Sequence, residues 1–331
     1  MIRHTISLRA IAATTAIAVS MGTGFSETAA AEQPSARAVD SAELVLRAEA
    51  QTKGRSGLAA EEPGRREAVR PESGVLPSSI GEDIVFPGDN GSPTMTIHID
   101  SAGKEKPKAR LAQGMAVYEN TADVTDTVVR AEKRDDSAGV EAFYVLKNRN
   151  APEQFTSKFR IEGATLEQKD PQTILALNPH GVVIGAVSAS WARDTAGKQV
   201  PISLSVRDGK IITHVKHRSQ KYQYPIVADP SYVRNCGRIT CSFYFTRRAT
   251  KNLKDTAAAA GGGAAAILAG AAMCGAIPVP GSALCAAAVL ANYLPAMYNL
   301  TAAVNRKGCF VVRTPPTRFD NVASTNRYCR Y

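Results

Sequence analysis

Histidine, tryptophan and the usual signatures of catalysis are scarce in this chain of 331 residues. It has five histidines and one tryptophan. It contains no H-E-x-x-H, no G-x-x-x-x-G-K-[ST] and no G-x-S-x-G. Zinc-protease, phosphate-loop and nucleophile-elbow chemistry are therefore not indicated. Aromatic residues make up only 6%, so a core must come from the 44% apolar fraction, much of it Ala and Gly. Acidic residues nearly vanish from the C-terminal hundred. Charge of either sign is absent from Thr256 to Asn305.

The few residues with chemical potential read better as structure. His214 and His217 are three apart in an expected strand, so they point to opposite faces and not to one metal. His180 falls in a turn. Asp229, beside Pro230, reads as a turn or cap residue, and Asp194 and Asp208 as turn residues near glycine. Trp191 reads as core. No catalytic residue, metal site or cofactor is expected.

The N-terminus has the order of a secretory signal peptide. Arg3 and Arg9 flank a short basic region, Ala10 to Phe25 carries no charge, and Ala29 and Ala31 precede Glu32. Residues 1–31 are expected to be removed, giving a secreted or extracellular product with possible retention at the cell surface as its other fate. The apolar run is short for an anchor, since a span needs about 20 residues.

Charge is unevenly placed. Residues 232–331 hold twelve Lys or Arg against Asp255 and Asp320, hence +10, whereas 32–231 hold 26 basic and 27 acidic residues, hence −1. A basic surface attracts anionic lipid, cell-wall polymer or an acidic protein. For an exported chain these partners are more natural than nucleic acid. Arg247, Arg248, Lys251, Lys254, Arg306 and Lys307 are the candidate residues for such a surface.

All six cysteines lie in the same basic segment: Cys236, Cys241, Cys274, Cys285, Cys309 and Cys329. An even number in an exported chain reads as a disulfide framework. Cys274 and Cys285 each sit about one turn from a Pro/Gly break between two helices, which predicts that they pair. Cys236–Cys241 and Cys309–Cys329 are favoured for the rest, with exchange among those four left open.

The pattern predicts a multi-part fold: an all-β, sandwich-like antiparallel domain followed by a small disulfide-containing α-helical hairpin domain. Residues 32–75 are expected to form a flexible leader or linker, with a few helical turns over 41–50. Residues 76–231 alternate like strands, with segments such as Thr94–Ile99, Thr125–Ala131, Val140–Lys147, Phe155–Ile161, Thr173–Leu177 and Tyr222–Val227. The firmest hairpin signal is Asp208-Gly209 between Val200–Val206 and Lys210–Val215. Residues 232–331 form the basic segment, with a helical hairpin over 247–304 whose tip is Ile277 to Gly281. Pro295 is expected to kink its second helix. Cys309–Arg313 reads as a closing strand.

From Trp191 to Val215, with Tyr224-Pro225-Ile226-Val227-Ala228-Asp229-Pro230 beyond it, the chain resembles a β domain of secreted actinobacterial proteins that ends in a Y-P-x-x-A-D-P signature. The likeness covers roughly 115–231. The C-terminal region resembles the ending of some of the same proteins, through Tyr244-Phe245-Thr246, Thr250, the Cys274 to Cys285 hairpin and Lys307-Gly308-Cys309. The resemblance implies an architecture and carries no catalytic residue.

Three functions fit. The first is a secreted, non-enzymatic structural or interaction protein at a cell-envelope surface, its β domain supporting the basic, disulfide-locked module. The second is a membrane-active, bacteriocin-like or toxin-like effector using the Ala/Gly-rich hairpin. The third is a secreted hydrolase without a recognisable site.

Overall fold

The computed structural model describes residues 35–53, 67–68, 76–88, 93–101, 106–120, 124–133, 137–236, 241–259, 273–276, 285–287, 289, 292–314 and 317–329. The expected signal segment 1–31, the glycine run 261–263 and the expected hairpin tip 277–281 lie outside the described residues.

The chain opens with helix α1 (Ala36–Lys53) and the short strand β1 (Glu67–Ala68). There follow β2 (Asp83–Phe86), β3 (Met95–Ile99), β4 (Ala109–Ala112), β5 (Met115–Tyr118), β6 (Thr125–Lys133) and β7 (Ala138–Leu146). Next come β8 (Gln154–Ile161), β9 (Thr165–Asp170), β10 (Thr173–Leu177) and β11 (Val182–Asp194). Then come β12 (Ile202–Arg207), β13 (Lys210–Val215), β14 (Ile226–Arg234) and β15 (Cys241–Phe245). Helix α2 (Arg247–Ala259), a 3-10 turn (Met273–Ala276), helix α3 (Tyr293–Asn305), β16 (Cys309–Thr314) and β17 (Arg318–Val322) complete it.

Every described strand pair is antiparallel. The larger sheet runs β17-β16-β15-β11-β14-β7-β6-β5-β4, with β10 also on β11, β9 on β10 and β1 on β6. The smaller runs β12-β13-β8-β3-β2. Alternation explains the smaller sheet: in β3 and β8 every second side chain is buried. The central strands β7, β10 and β11 are buried on nearly all positions, because both faces of the larger sheet are covered.

The two sheets share one core. The Tyr144 ring on β7 stacks on Phe155 of β8 with centroids 4.1 Å apart, and Tyr232 of β14 meets Phe159 at 6.0 Å. The buried Tyr232 hydroxyl donates to Ser157 Oγ at 2.8 Å, which satisfies it between the sheets. Gly185 is required at this contact: a Cβ there would lie 2.2 Å from Ile161 Cδ1 and 2.6 Å from the Val233 carbonyl oxygen.

The expected hairpin forms with Arg207 opposite Lys210. Asp208 and Gly209 have φ of 52° and 70°, the left-handed pair that such a two-residue turn needs. In β14, Pro230 has no N–H for the ladder, and the register of β11 shifts between Ala189 and Trp191 where it faces Pro230. Asp229 is therefore a buried strand residue and not a turn or cap residue.

Three expectations are corrected. First, the segment 32–75 is not wholly a flexible leader, for 36–53 is a docked helix. Ser35 caps it by accepting from Ala38 N at 3.0 Å. Ala38, Ala42, Val45 and Ala48 form a buried stripe against Met115, Val117, Val128, Phe143 and Trp191. Polar contacts fix it: Ser41 Oγ donates to Asp126 at 2.7 Å, and Arg130 holds Glu49 at 2.6 Å.

Second, the β architecture does not stop at residue 231. Strand β14 crosses that point, and β15, β16 and β17 extend the same sheet through the Val182–Phe245 and Val183–Tyr244 pairs. The described residues all fall in one compact unit, Ala31–Tyr331. The C-terminal helices are thus a layer on the larger sheet and not a separate hairpin domain. Third, Pro295 lies in the first turn of α3, where its missing N–H costs no helical bond.

Candidate interaction surface

The basic segment is built around strand β15 and helix α2. Thr246 ends the strand and caps the helix, its hydroxyl accepting from Ala249 N at 3.2 Å. Thr250, fully buried, accepts from Phe310 N at 3.1 Å. That bond ties the start of α2 to the start of β16. Thr250 and Ala257 are buried, and Leu253 packs against the common core to which Ala296, Leu300 and Ala303 of α3 belong.

Helix geometry puts the four basic residues of α2 on one flank. At about 100° per residue, Arg247, Arg248, Lys251 and Lys254 occupy an arc of roughly 120° beside the buried stripe. Arg248 and Lys251 are exposed, and Arg247 and Lys254 are half-buried. Asp255 takes one ion pair, with Lys251 at 2.5 Å. Such an exposed pair is worth well under 1 kcal/mol.

Arg306 and Lys307 close α3 and are exposed. The helix ends with Gly308 N donating to Ala303 O at 2.8 Å and Lys307 N to Val304 O at 3.0 Å. This is a Schellman motif, and it places Lys307 in the left-handed region at φ 52°. Gly308 is dictated by close approach, since a Cβ would lie 2.1 Å from Val322 O. Lys307 is three residues before Phe310 and Arg247 three before Thr250. The Thr250–Phe310 bond therefore brings both basic groups to the same end of the helical layer.

Lys169 of β9 joins them, which sequence inspection missed. Its ammonium donates to the carbonyls of Asn326 and Arg327 at 3.0 and 2.8 Å. Burial lowers its pKa below the ordinary value, Asp170 opposes this, and the nearby Arg247 charge adds to the fall. No local signal marks Lys169, because only the folding of the tail onto β9 gives it this role.

Three disulfides staple the segment: Cys236–Cys241, Cys274–Cys285 and Cys309–Cys329. The last holds the tail against β16. Tyr328 of that tail packs on Tyr244 with centroids 4.8 Å apart.

The histidines are dispersed. His214 bonds Ser205 Oγ through Nε2 at 2.8 Å on the open face of the smaller sheet. His217 lies past β13, not within it, and is buried, with Nδ1 2.7 Å from Tyr224 Oη and Nε2 3.0 Å from Ala151 O. Burial lowers its pKa below 6.5, although the Ala151 carbonyl and Glu153 oppose the fall. Its bond to the buried His217 gives the half-buried Tyr224 of the Y-P-x-x-A-D-P signature a structural role. Asp194 organises a turn, accepting from Lys198 N at 2.8 Å and Gln223 N at 3.0 Å. Among the described residues, no group of three or more His, Cys, Asp or Glu side chains is placed to hold a metal.

No family model matches this chain, and no curated protein or solved structure matches it.

Proposed function

We propose that this protein works outside the cytoplasm as a non-enzymatic interaction protein, using its basic C-terminal layer to hold an anionic envelope surface. The observation that carries the proposal is the joining of two basic groups, Arg247 to Lys254 and Arg306–Lys307, at one end of a layer stapled by disulfides. Three disulfides suit an oxidising compartment. The shared core between the sheets supports a sandwich-like reading of the β region, and the likeness to secreted actinobacterial β domains points the same way.

Salt tests the proposal. Exposed charges are screened over about 8 Å at 0.15 M ionic strength. The protein should be retained by vesicles containing anionic lipid, or by isolated cell envelope, at low salt and released as salt rises. The R248Q/K251Q/R306Q/K307Q variant should lose most of that retention. Retention that ignores both salt and these substitutions would exclude electrostatic attachment.

A membrane-active role has one specific observation in its favour. Leu294 and Tyr298, one turn apart on α3, are 77% and 73% exposed. No helix among the described residues is long and apolar enough to cross a membrane, so this reading takes the form of shallow insertion. Release of dye from anionic vesicles, abolished by L294Q/Y298Q, is its signature.

A further inference from the structure

The outward face of the smaller sheet carries a row of cations outside the cysteine-bearing segment. Register builds it. Arg207 on β12 is opposite Lys210 on β13. The β13–β8 ladder runs Ile211 against Ser157, so its next step sets Lys210 opposite Lys158. Lys158 in turn faces His98 on β3, and His98 faces Asp83 on β2. Arg160 lies two residues beyond Lys158, on the same face.

Lys158, Arg160, Arg207 and Lys210 are all exposed. Adjacent strands are about 4.8 Å apart, so the three cations of the row span roughly 10 Å. Like charges placed directly opposite one another destabilise a sheet. Among the described residues, neighbouring carboxylates are not engaged in ion pairs with the row. Asp83 and Asp100 are turned to His98, at 2.8 and 3.2 Å from its two ring nitrogens. Asp208 in the turn and Glu162 beyond β8 form no ion pair with the four cations among the described residues. Cations that hold no ion pair among the described residues are open to an external anion.

We propose that this face binds an extended polyphosphate-type chain, a linear polymer with a phosphate at every repeat, lying across β12, β13 and β8. The row is linear, flat and mixed in Arg and Lys, so phosphates spaced along the chain can meet the Arg207 fork and the compact ammonium charges of Lys210 and Lys158. A bilayer fits less well. Among the described residues, the outward apolar side chains near the row are Val85 and the half-buried Ile212, and neither forms an inserting ridge. This face is independent of the C-terminal basic layer.

The test uses the full oxidised chain and long-chain inorganic polyphosphate as the probe. Two variants are compared with the parent: K158Q/R207Q/K210Q on the sheet and R248Q/K251Q/R306Q/K307Q on the helices. The parent should bind with an affinity that falls linearly on a log–log plot against salt. The sheet variant should bind at least tenfold more weakly, with a slope shallower by about two, since each phosphate contact on a single strand contributes about 0.7. Polyphosphate should raise the melting temperature of the parent and of the helix variant but not that of the sheet variant. The three substituted side chains are exposed, and removing them relieves repulsion, so the sheet variant without ligand should melt no lower than the parent. Binding lost only in the helix variant overturns the proposal while leaving the C-terminal reading intact. Equal affinity for polyglutamate overturns the assignment to phosphate, and stronger binding to anionic vesicles than to polyphosphate overturns the assignment to a polymer.

Discussion

Two neighbouring residues of α1 separate a docked helix from a flexible leader. Val45 is fully buried among Val128, Phe143 and Trp191, whereas Leu46, the next residue and the larger one, is 39% exposed. Val45→Ala removes two methyl groups from a closed site. At about 0.8 kcal/mol per buried carbon, with a further contribution for the cavity left behind, the loss is about 2–3 kcal/mol. A domain of this size shifts by roughly 2 °C per kcal/mol, so the melting temperature should fall by about 4–6 °C. Leu46→Ala removes three carbons from a partly exposed side chain outside the buried stripe, and alanine favours a helix, so its effect should stay below about 1 kcal/mol. Thermal unfolding of the two variants followed by circular dichroism makes the comparison. Equal effects, or no effect from either, would mean that α1 does not lie on β5, β6 and β7, and the leader reading would return.

Two other predictions follow from single contacts. Replacing Cys274 and Cys285 together by serine opens a loop with a sequence separation of 11, and the chain-entropy model gives a loss of about 3 kcal/mol. Denaturant titration under non-reducing conditions should register it, and an unchanged midpoint would exclude a stabilising role for the bridge. The buried His217 has a folded pKa lowered below 6.5, chiefly by burial. The unfolded chain therefore binds more protons between that lowered value and 6.5, so this contribution to stability is complete above pH 6.5 and shrinks as pH falls. Between pH 7 and 5 the melting temperature of the parent should drop more than that of His217→Gln, and coincident pH profiles would exclude the histidine as a cause.

Much of the local structure was legible in the residues alone. The alternation in Lys210–Val215 coincides with β13, because period-two burial leaves a direct mark on the sequence, and the apolar run Thr173–Leu177 coincides with β10, which is buried at every position. Asp208-Gly209 could be read as a turn because few other pairs tolerate two positive φ angles. The three disulfides join cysteines 5, 11 and 20 residues apart, separations that a short chain segment constrains. Trp191 was legible as core for its size and apolarity, and it packs with Phe143.

Other features were invisible for identifiable reasons. Strand β9, Thr-Leu-Glu-Gln-Lys-Asp, lacks an apolar alternation because none of its side chains is fully buried, and backbone pairing with β10 alone makes it a strand. Helix α1 buries mostly alanine, so its stripe is faint in hydropathy and becomes meaningful only against the apolar face of β5 to β7. The chain's composition changes sharply near residue 231, which suggested a domain boundary, yet hydrogen bonds from β11 to β15 carry the sheet through it.

By itself, then, the sequence determined most of the strands of the β region and the Asp208-Gly209 turn, that the cysteines are gathered in the last hundred residues, and that the positive charge lies there with them. These are properties of local periodicity, backbone preference and composition. The tertiary structure decided the rest. It placed Lys169 beside Arg247, sent the C-terminal strands into the β region's own sheet, and aligned Arg207, Lys210 and Lys158 in one row. Each depends on long-range pairing register, in which a shift of one residue sends every side chain to the opposite face, and no local stretch of sequence specifies such a register.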